Sequence, residues 1–260
     1  MSTPTIDRSL RLSADRYVKE EWTKKALCLH HTVGGGARST FEWWQQSPSR
    51  ICTAFIIERN GIIYEVFDPK YEAWHLGGAS ALGVPYSDAV RYNYETIGIE
   101  LASEGALRSG YELNTMLEKF GLEGKFDENY LYAFDIDPDP DRPENRWFTN
   151  AKKLYNKKED KHKFVDLSEN WRGYRYFDAY DVPQVESLHW LINKLCNDFN
   201  IPKKLIEGDR NRYDKSVLDH MGVFSHSNVR RDKTDVHKAF DWNELQKYLE
   251  IHTYHRWGTI

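Results

Sequence analysis

The sequence predicts an α/β domain, a central β-sheet with helices on its faces. Three observations carry this. Apolar runs at 26–29, 51–57, 62–67, 96–101 and 222–225 have the length and composition of strands. Between and after them lie stretches of helical periodicity, clearest at 183–199. Two of the runs flank Glu58-Arg59-Asn60-Gly61, and an Asn-Gly pair between strand-like runs is a hairpin signal.

The order along the chain is as follows. Residues 1–25 are polar, with a short helical stretch expected around 14–22. The first strand, 26–29, runs into His30-His31-Thr32-Val33 and three glycines, so it delivers imidazole to a loop where a ligand can approach closely. A short helix is expected over 40–46, capped by Ser39 or Thr40, with Pro48 beyond its end. The hairpin follows, then a loop, Ala73-Trp74-His75-Leu76-Gly77-Gly78. The strand 96–101 carries Glu100 amid apolar neighbours, where a carboxylate is either on a solvated face or placed in a site. Residues 103–180 are rich in charge and aromatics. They contain the turn-prone run 135–141 and a lysine-rich surface patch at 152–163, with no convincing helical periodicity. The helix over 183–199 has Pro183 in its first turn and repeats Leu188, Leu191, Ile192 and Leu195 at three-and-four spacing. The strand 222–225 ends at His226. A last helix near 242–251 opens on Asp241-Trp242-Asn243-Glu244, which has capping-box spacing.

Composition excludes several classes. At 260 residues and 40% hydrophobic the chain can fill a real core. A net charge of −4 gives no reason to expect nucleic acid or an anionic membrane as partner. No window approaches the roughly 20 apolar residues of a membrane span. Cys28, Cys52 and Cys196 are odd in number, far apart and without metal spacing, so they read as buried free thiols of a reducing compartment. Met1–Arg8 has no apolar stretch of signal-peptide length, so the chain is expected to be cytoplasmic as synthesised.

Two strands thus end at histidines, His30 and His226, and Asp235 follows the second. Two imidazoles and a carboxylate suit a catalytic zinc ion with a fourth position open for water. As bare residues the pattern is weak, since ten histidines allow many such triples.

Four segments, in order, make it specific. They are Leu29-His30-His31-Thr32; Ala73-Trp74-His75-Leu76-Gly77; Asn93 with Thr96-Ile97-Gly98-Ile99-Glu100-Leu101; and Ser225-His226 through Lys233-Thr234-Asp235 to Ala239-Phe240-Asp241-Trp242. Together they resemble the zinc-dependent N-acetylmuramoyl-L-alanine amidases, a family that includes phage amidase lysozymes, muropeptide-recycling amidases and peptidoglycan recognition proteins. The resemblance implies one domain over 1–260, with a central mixed sheet flanked by helices. Its core spans about 24–102 and 182–250, and 103–180 is a large insertion. It implies one catalytic zinc on His30, His226 and Asp235, Glu100 and Lys233 as catalytic residues, and His31, His75 and Asn93 as substrate contacts. The substrate implied is peptidoglycan or a muropeptide, cut between N-acetylmuramic acid and L-alanine. A holin or delivery machinery would bring such a protein to the wall.

The chain also departs from the family pattern. Ser225 stands where a glycine is frequent, and Val236-His237 replaces a common Pro-Gly, which makes His237 a rival ligand. Thr53 or Ala54 stands where some members use a tyrosine, which places more weight on Glu100. The alternative reading is a non-catalytic recognition module that holds peptidoglycan without cutting it.

Overall fold

The computed structural model describes residues 4–119, 121, 123–133 and 151–254. Six strands form the central sheet: β1 (Ile6–Asp7), β2 (Ala26–His31), β3 (Phe55–Ile57), β4 (Ile63–Glu65), β5 (Thr96–Leu101) and β11 (Gly222–Ser225). Their spatial order is β1-β4-β3-β5-β2-β11. The sheet is mixed, as expected: β3, β5, β2 and β11 run parallel, and β4 is antiparallel to β3 through the expected hairpin. In that turn Gly61 takes φ 86°, a left-handed conformation that glycine adopts without steric cost.

All six residues of β2 are buried, because both faces of the sheet are covered. Side chains alternate across it. Leu27 and Leu29 join Ile97, Ile99, Leu188, Leu191, Leu245 and Leu249 in the larger core. Ala26 and Cys28 join Leu76, Leu82, Ala89 and Phe224 in the smaller one. Helices α1 (Ala37–Gln46), α5 (Val182–Asp198) and α7 (Trp242–Tyr254) send buried residues into the first, and α2 (Ala79–Leu82), α3 (Tyr86–Tyr94) and α6 (His226–Val229) into the second. Among the described residues no helix is long and apolar enough to cross a membrane. The three cysteines are free and buried.

The structure corrects several local expectations. Residues 14–22 form no helix. Instead Tyr17 stacks on Phe67 at 4.8 Å and Val18 bridges Glu72, so core contacts override a weak helical tendency. Helix α1 begins at Ala37 rather than Thr40, because Glu58 Oε2, from the hairpin, accepts the Ala37 N–H at 2.8 Å. The strand expected over 51–57 shortens to β3, with Ile51 exposed.

The 103–180 segment holds a second, antiparallel sheet. It comprises β6 (Ala106–Ser109), β7 (Tyr130–Ala133), β8 (Lys152–Asn156), β9 (Phe164–Trp171) and β10 (Tyr174–Asp178), in the order β8-β7-β6-β10-β9. It also holds a helix that periodicity did not predict, α4 (Gly110–Lys119). Its start has a local signal, Ser109-Gly110-Tyr111-Glu112: Glu112 Oε2 accepts from Ser109 N at 2.8 Å, and Ser109 Oγ accepts from Glu112 N. The run 135–141 lies outside the described residues. Asp178, fully buried, ties this segment together by accepting from Ser103 Oγ, Glu104 N and Tyr155 Oη, and joins it to the β3–β4 turn by accepting from the Arg59 guanidinium.

Candidate active site

The strand register assembles the site. Cys28 pairs with Phe224 on one side and Gly98 on the other, and His30 pairs with Glu100. By strand parity His30 and Glu100 therefore share the face of Cys28. His226 follows β11 directly and starts α6 beside them. Ser225, the departure from glycine, caps that short helix: its side chain accepts from the backbone of Asn228, while Asn228 Oδ1 accepts from Ser225 N at 2.8 Å. Asp235 returns to the same point, and its carbonyl accepts from Ser227 N at 2.7 Å.

Three buried atoms converge there. His30 Nδ1 lies 3.1 Å from His226 Nδ1 and 3.1 Å from Asp235 Oδ2, and His226 Nδ1 lies 3.0 Å from Asp235 Oδ2. The remaining ring nitrogens define the tautomers. His226 Nε2 faces the Leu76 carbonyl at 3.1 Å, which only accepts, so that nitrogen carries a proton and Nδ1 is the nitrogen left to ligate. His75 Nε2 likewise donates to Thr96 O at 3.1 Å, so His75 Nδ1 accepts from His30 Nε2 at 3.0 Å, and His30 Nδ1 is bare too. Burial holds His30 down to about 4, so it is neutral at pH 7. Three atoms able to ligate thus face one another, and with both rings uncharged their lone pairs repel unless a cation lies between them. Ligands on a tetrahedral ion with bonds of about 2.0–2.1 Å are separated by about 3.3 Å, close to what is seen. Cys28, His30 and His75 also lie close together. There the two imidazoles are already bonded to each other, and burial keeps the Cys28 thiol protonated.

The triangle opens on a cleft of about 930 Å³ that is also lined by His31, His75, Glu100 and Lys233. Glu100 Oε2 is buried and has no hydrogen-bond partner among the described residues. Burial, then the charge of Asp235, push its carboxyl well above its usual range against the opposing pull of Lys233. Thr53, one of the two residues that could stand in the tyrosine's place, lines the cleft, but its hydroxyl is turned to Phe55 O at 3.0 Å. Exposed Val33, Trp43 and Ile51 and the ring of Tyr174 extend the lining.

The other sequence-predicted residues sit as follows. His75 lines the cleft, yet both its ring nitrogens are engaged, one on His30 and one on Thr96. His31 points to the other side of β2, where Nδ1 meets Tyr180 Oη at 3.0 Å. Asn93 is fully buried outside the cleft: Oδ1 accepts from His75 N and Leu76 N, and Nδ2 donates to Gly77 O and Ala89 O. It shapes the loop that carries His75 and has no group left for a ligand. His237 stacks on Tyr180 at 4.5 Å, apart from the converging atoms. Tyr174 and Tyr180, which frame the site from the end of the 103–180 segment, carried no sequence signal; only the second sheet brings them here.

A family profile described as N-acetylmuramoyl-L-alanine amidase matches residues 21–238. No curated protein matches the sequence. Among solved structures, the chain is similar to PlyL at 10% identity over 96% of this chain and 97% of that one, with a TM-score of 0.46. It is similar to a mutant endolysin from Bacillus subtilis at 12% over 95% and 99%, with a TM-score of 0.47. A third is the amidase AmiD from E. coli, solved with anhydro-N-acetylmuramic acid-L-Ala-D-gamma-Glu-L-Lys, at 15% over 88% and 59%, with a TM-score of 0.44. The profile spans most of the chain, including every residue of the converging cluster, and the chain belongs to the N-acetylmuramoyl-L-alanine amidase family.

Proposed function

We propose that the chain is a zinc-dependent peptidoglycan amidase that cuts the amide between the lactyl carbonyl of N-acetylmuramic acid and the amine of L-alanine. The observation that carries this is the triangle of His30 Nδ1, His226 Nδ1 and Asp235 Oδ2, open to a cleft that also holds an unpartnered Glu100 oxygen. Two imidazoles and a carboxylate are a donor set suited to zinc. When bound there, zinc supplies Lewis acidity for an amide carbonyl and lowers the pKa of a water.

The protein's own groups do the rest. Glu100 accepts a proton from the attacking water and passes it to the leaving amine, as general base and then general acid. Lys233 supplies positive charge where the tetrahedral oxyanion develops. His75 holds the His30 ring in its ligating tautomer rather than touching substrate, and Asn93 holds the His75 loop. His31 is braced by Tyr180 at the cleft wall. A full ligand set together with Glu100 and Lys233 favours hydrolysis over recognition alone.

Mass spectrometry of a defined muropeptide incubated with the zinc-loaded protein tests this. Release of a stem peptide with a free L-alanine amine, abolished by chelator, is expected. A muropeptide that binds and stays intact would establish the recognition module instead. Activity on intact sacculi against soluble fragments then separates wall lysis after delivery from muropeptide turnover.

A further inference from the structure

The turn between β9 and β10 reaches back over the metal loop. Trp171 pairs with Tyr174 across Arg172-Gly173, a two-residue hairpin turn in which both central residues have positive φ, 54° and 85°. Turns of that kind favour Asn-Gly, and arginine is a disfavoured first residue. Its side chain explains its presence. Arg172 Nη1 donates to the carbonyls of Arg230 at 2.7 Å, Arg231 at 3.0 Å and Lys233 at 2.6 Å, and Nη2 donates to Ser227 O at 2.6 Å. All four carbonyls belong to the stretch between His226 and Asp235, the same stretch that carries Lys233.

Four carbonyl dipoles drawn towards one point repel one another unless a cation sits between them. The planar, multidonor guanidinium suits that position, and among the described residues no carboxylate bonds it there. The other side of the loop is held separately, by Asn228, whose Nδ2 donates to Arg210 O and Arg212 O. The stretch is therefore held from two sides, and from the second sheet Arg172 holds it at four carbonyls.

We propose that Arg172 is a positioning residue that holds the 227–233 stretch in the conformation in which His226 and Asp235 meet, so that the 103–180 segment is part of the metal centre. This rests on the reading of His30, His226 and Asp235 as zinc ligands. The loop's return to Asp235 depends on the path of the chain through 230–233, and Arg172 sets that path at three of its carbonyls. Lys233 is placed by the same bond.

The test is zinc affinity, measured on the full chain by competition with a chromophoric chelator, for the wild type, Arg172→Asn and Arg172→Lys. Asparagine fits the turn better than arginine, so Arg172→Asn keeps the hairpin and removes only the clamp. Near-wild-type melting of the metal-free variant confirms that the fold is intact. Zinc affinity is expected to fall about 10–100-fold in Arg172→Asn, the usual loss when an outer partner of a metal site is removed. Arg172→Lys, whose ammonium is compact and cannot span four carbonyls, is expected to recover only part. If Arg172→Asn does not fold, the Lys variant carries the same comparison. A wild type that binds zinc while the folded variants bind it equally well overturns this inference alone. A wild type that binds no zinc overturns the metal reading and this inference with it.

Discussion

Gly98 sits in the middle of β5, where glycine weakens a strand, and Gly98→Ala tests why it is there. An added Cβ would lie 2.6 Å from Thr53 Cγ2, 3.0 Å from Thr53 Cβ and 3.1 Å from His75 Cγ. Carbon atoms pack best at about 3.5–4.0 Å, so Thr53 must retreat by about 1 Å and His75 by several tenths. Neither moves freely. Thr53 is buried, with its hydroxyl on Phe55 O, and His75 is pinned between Thr96 O and His30. Overpacking of this kind costs about 1–3 kcal/mol, or about 2–6 °C of melting temperature in a chain of this size. The His75 ring carries the shift to His30, so zinc affinity should also fall about tenfold. Calorimetry and chelator competition on the same preparation measure both. Adding Thr53→Ser removes the nearest clashing methyl and should restore part of each loss. A Gly98→Ala protein with unchanged melting and unchanged zinc affinity would refute the reasoning.

Glu100→Gln keeps size and hydrogen-bonding shape but cannot take a proton; turnover should drop about 10²–10⁴-fold with one zinc still bound, and retained turnover would remove the shuttle role. Lys233→Ala should lower kcat by about 10²–10³-fold, read in steady-state kinetics at saturating zinc. His75→Ala should show its loss in zinc affinity; a raised KM with normal zinc content would instead mark His75 as a substrate contact. His189 is buried with Nε2 unpartnered among the described residues, and burial holds it at about 4 against 6.5 for the exposed group. Between those values the unfolded chain binds a proton that the folded chain refuses. Stability is therefore unaffected by this group above pH 6.5 and is lost as pH falls towards 4, by about 3 kcal/mol in total. Melting curves of wild type and His189→Phe should diverge over that window; parallel curves would show that His189 is not the group responsible.

Much of the architecture was legible because it depends on local pattern. The hairpin at Asn60-Gly61, β5, β11, α5 and the start of α7 are each encoded by a few adjacent residues, and each stands where those residues predict. Which of the two adjacent histidines joins the converging cluster follows a related rule. In a strand, alternation decides which of two adjacent histidines faces a given side, and once Leu27 and Leu29 face the larger core, His30 must face the other way. The helix α4 was present in the sequence as Ser109…Glu112 but was masked by the charged, aromatic character of its surroundings.

What the sequence alone determined is thus the α/β class, the central strands and the residues able to hold a metal, because these follow from short-range periodicity and side-chain chemistry. The tertiary structure alone decided their division of labour. Asn93 and His75 stand beside the ligands in the family pattern, yet only the fold shows that their polar atoms are spent on backbone and on His30. The part played by residues 103–180 was likewise out of reach of sequence. Arg172 meets carbonyls about sixty residues further along the chain (227 to 233), and backbone carbonyls leave no trace in sequence. Contacts to the main chain can be made by any residue at the right place, so only the fold reveals them.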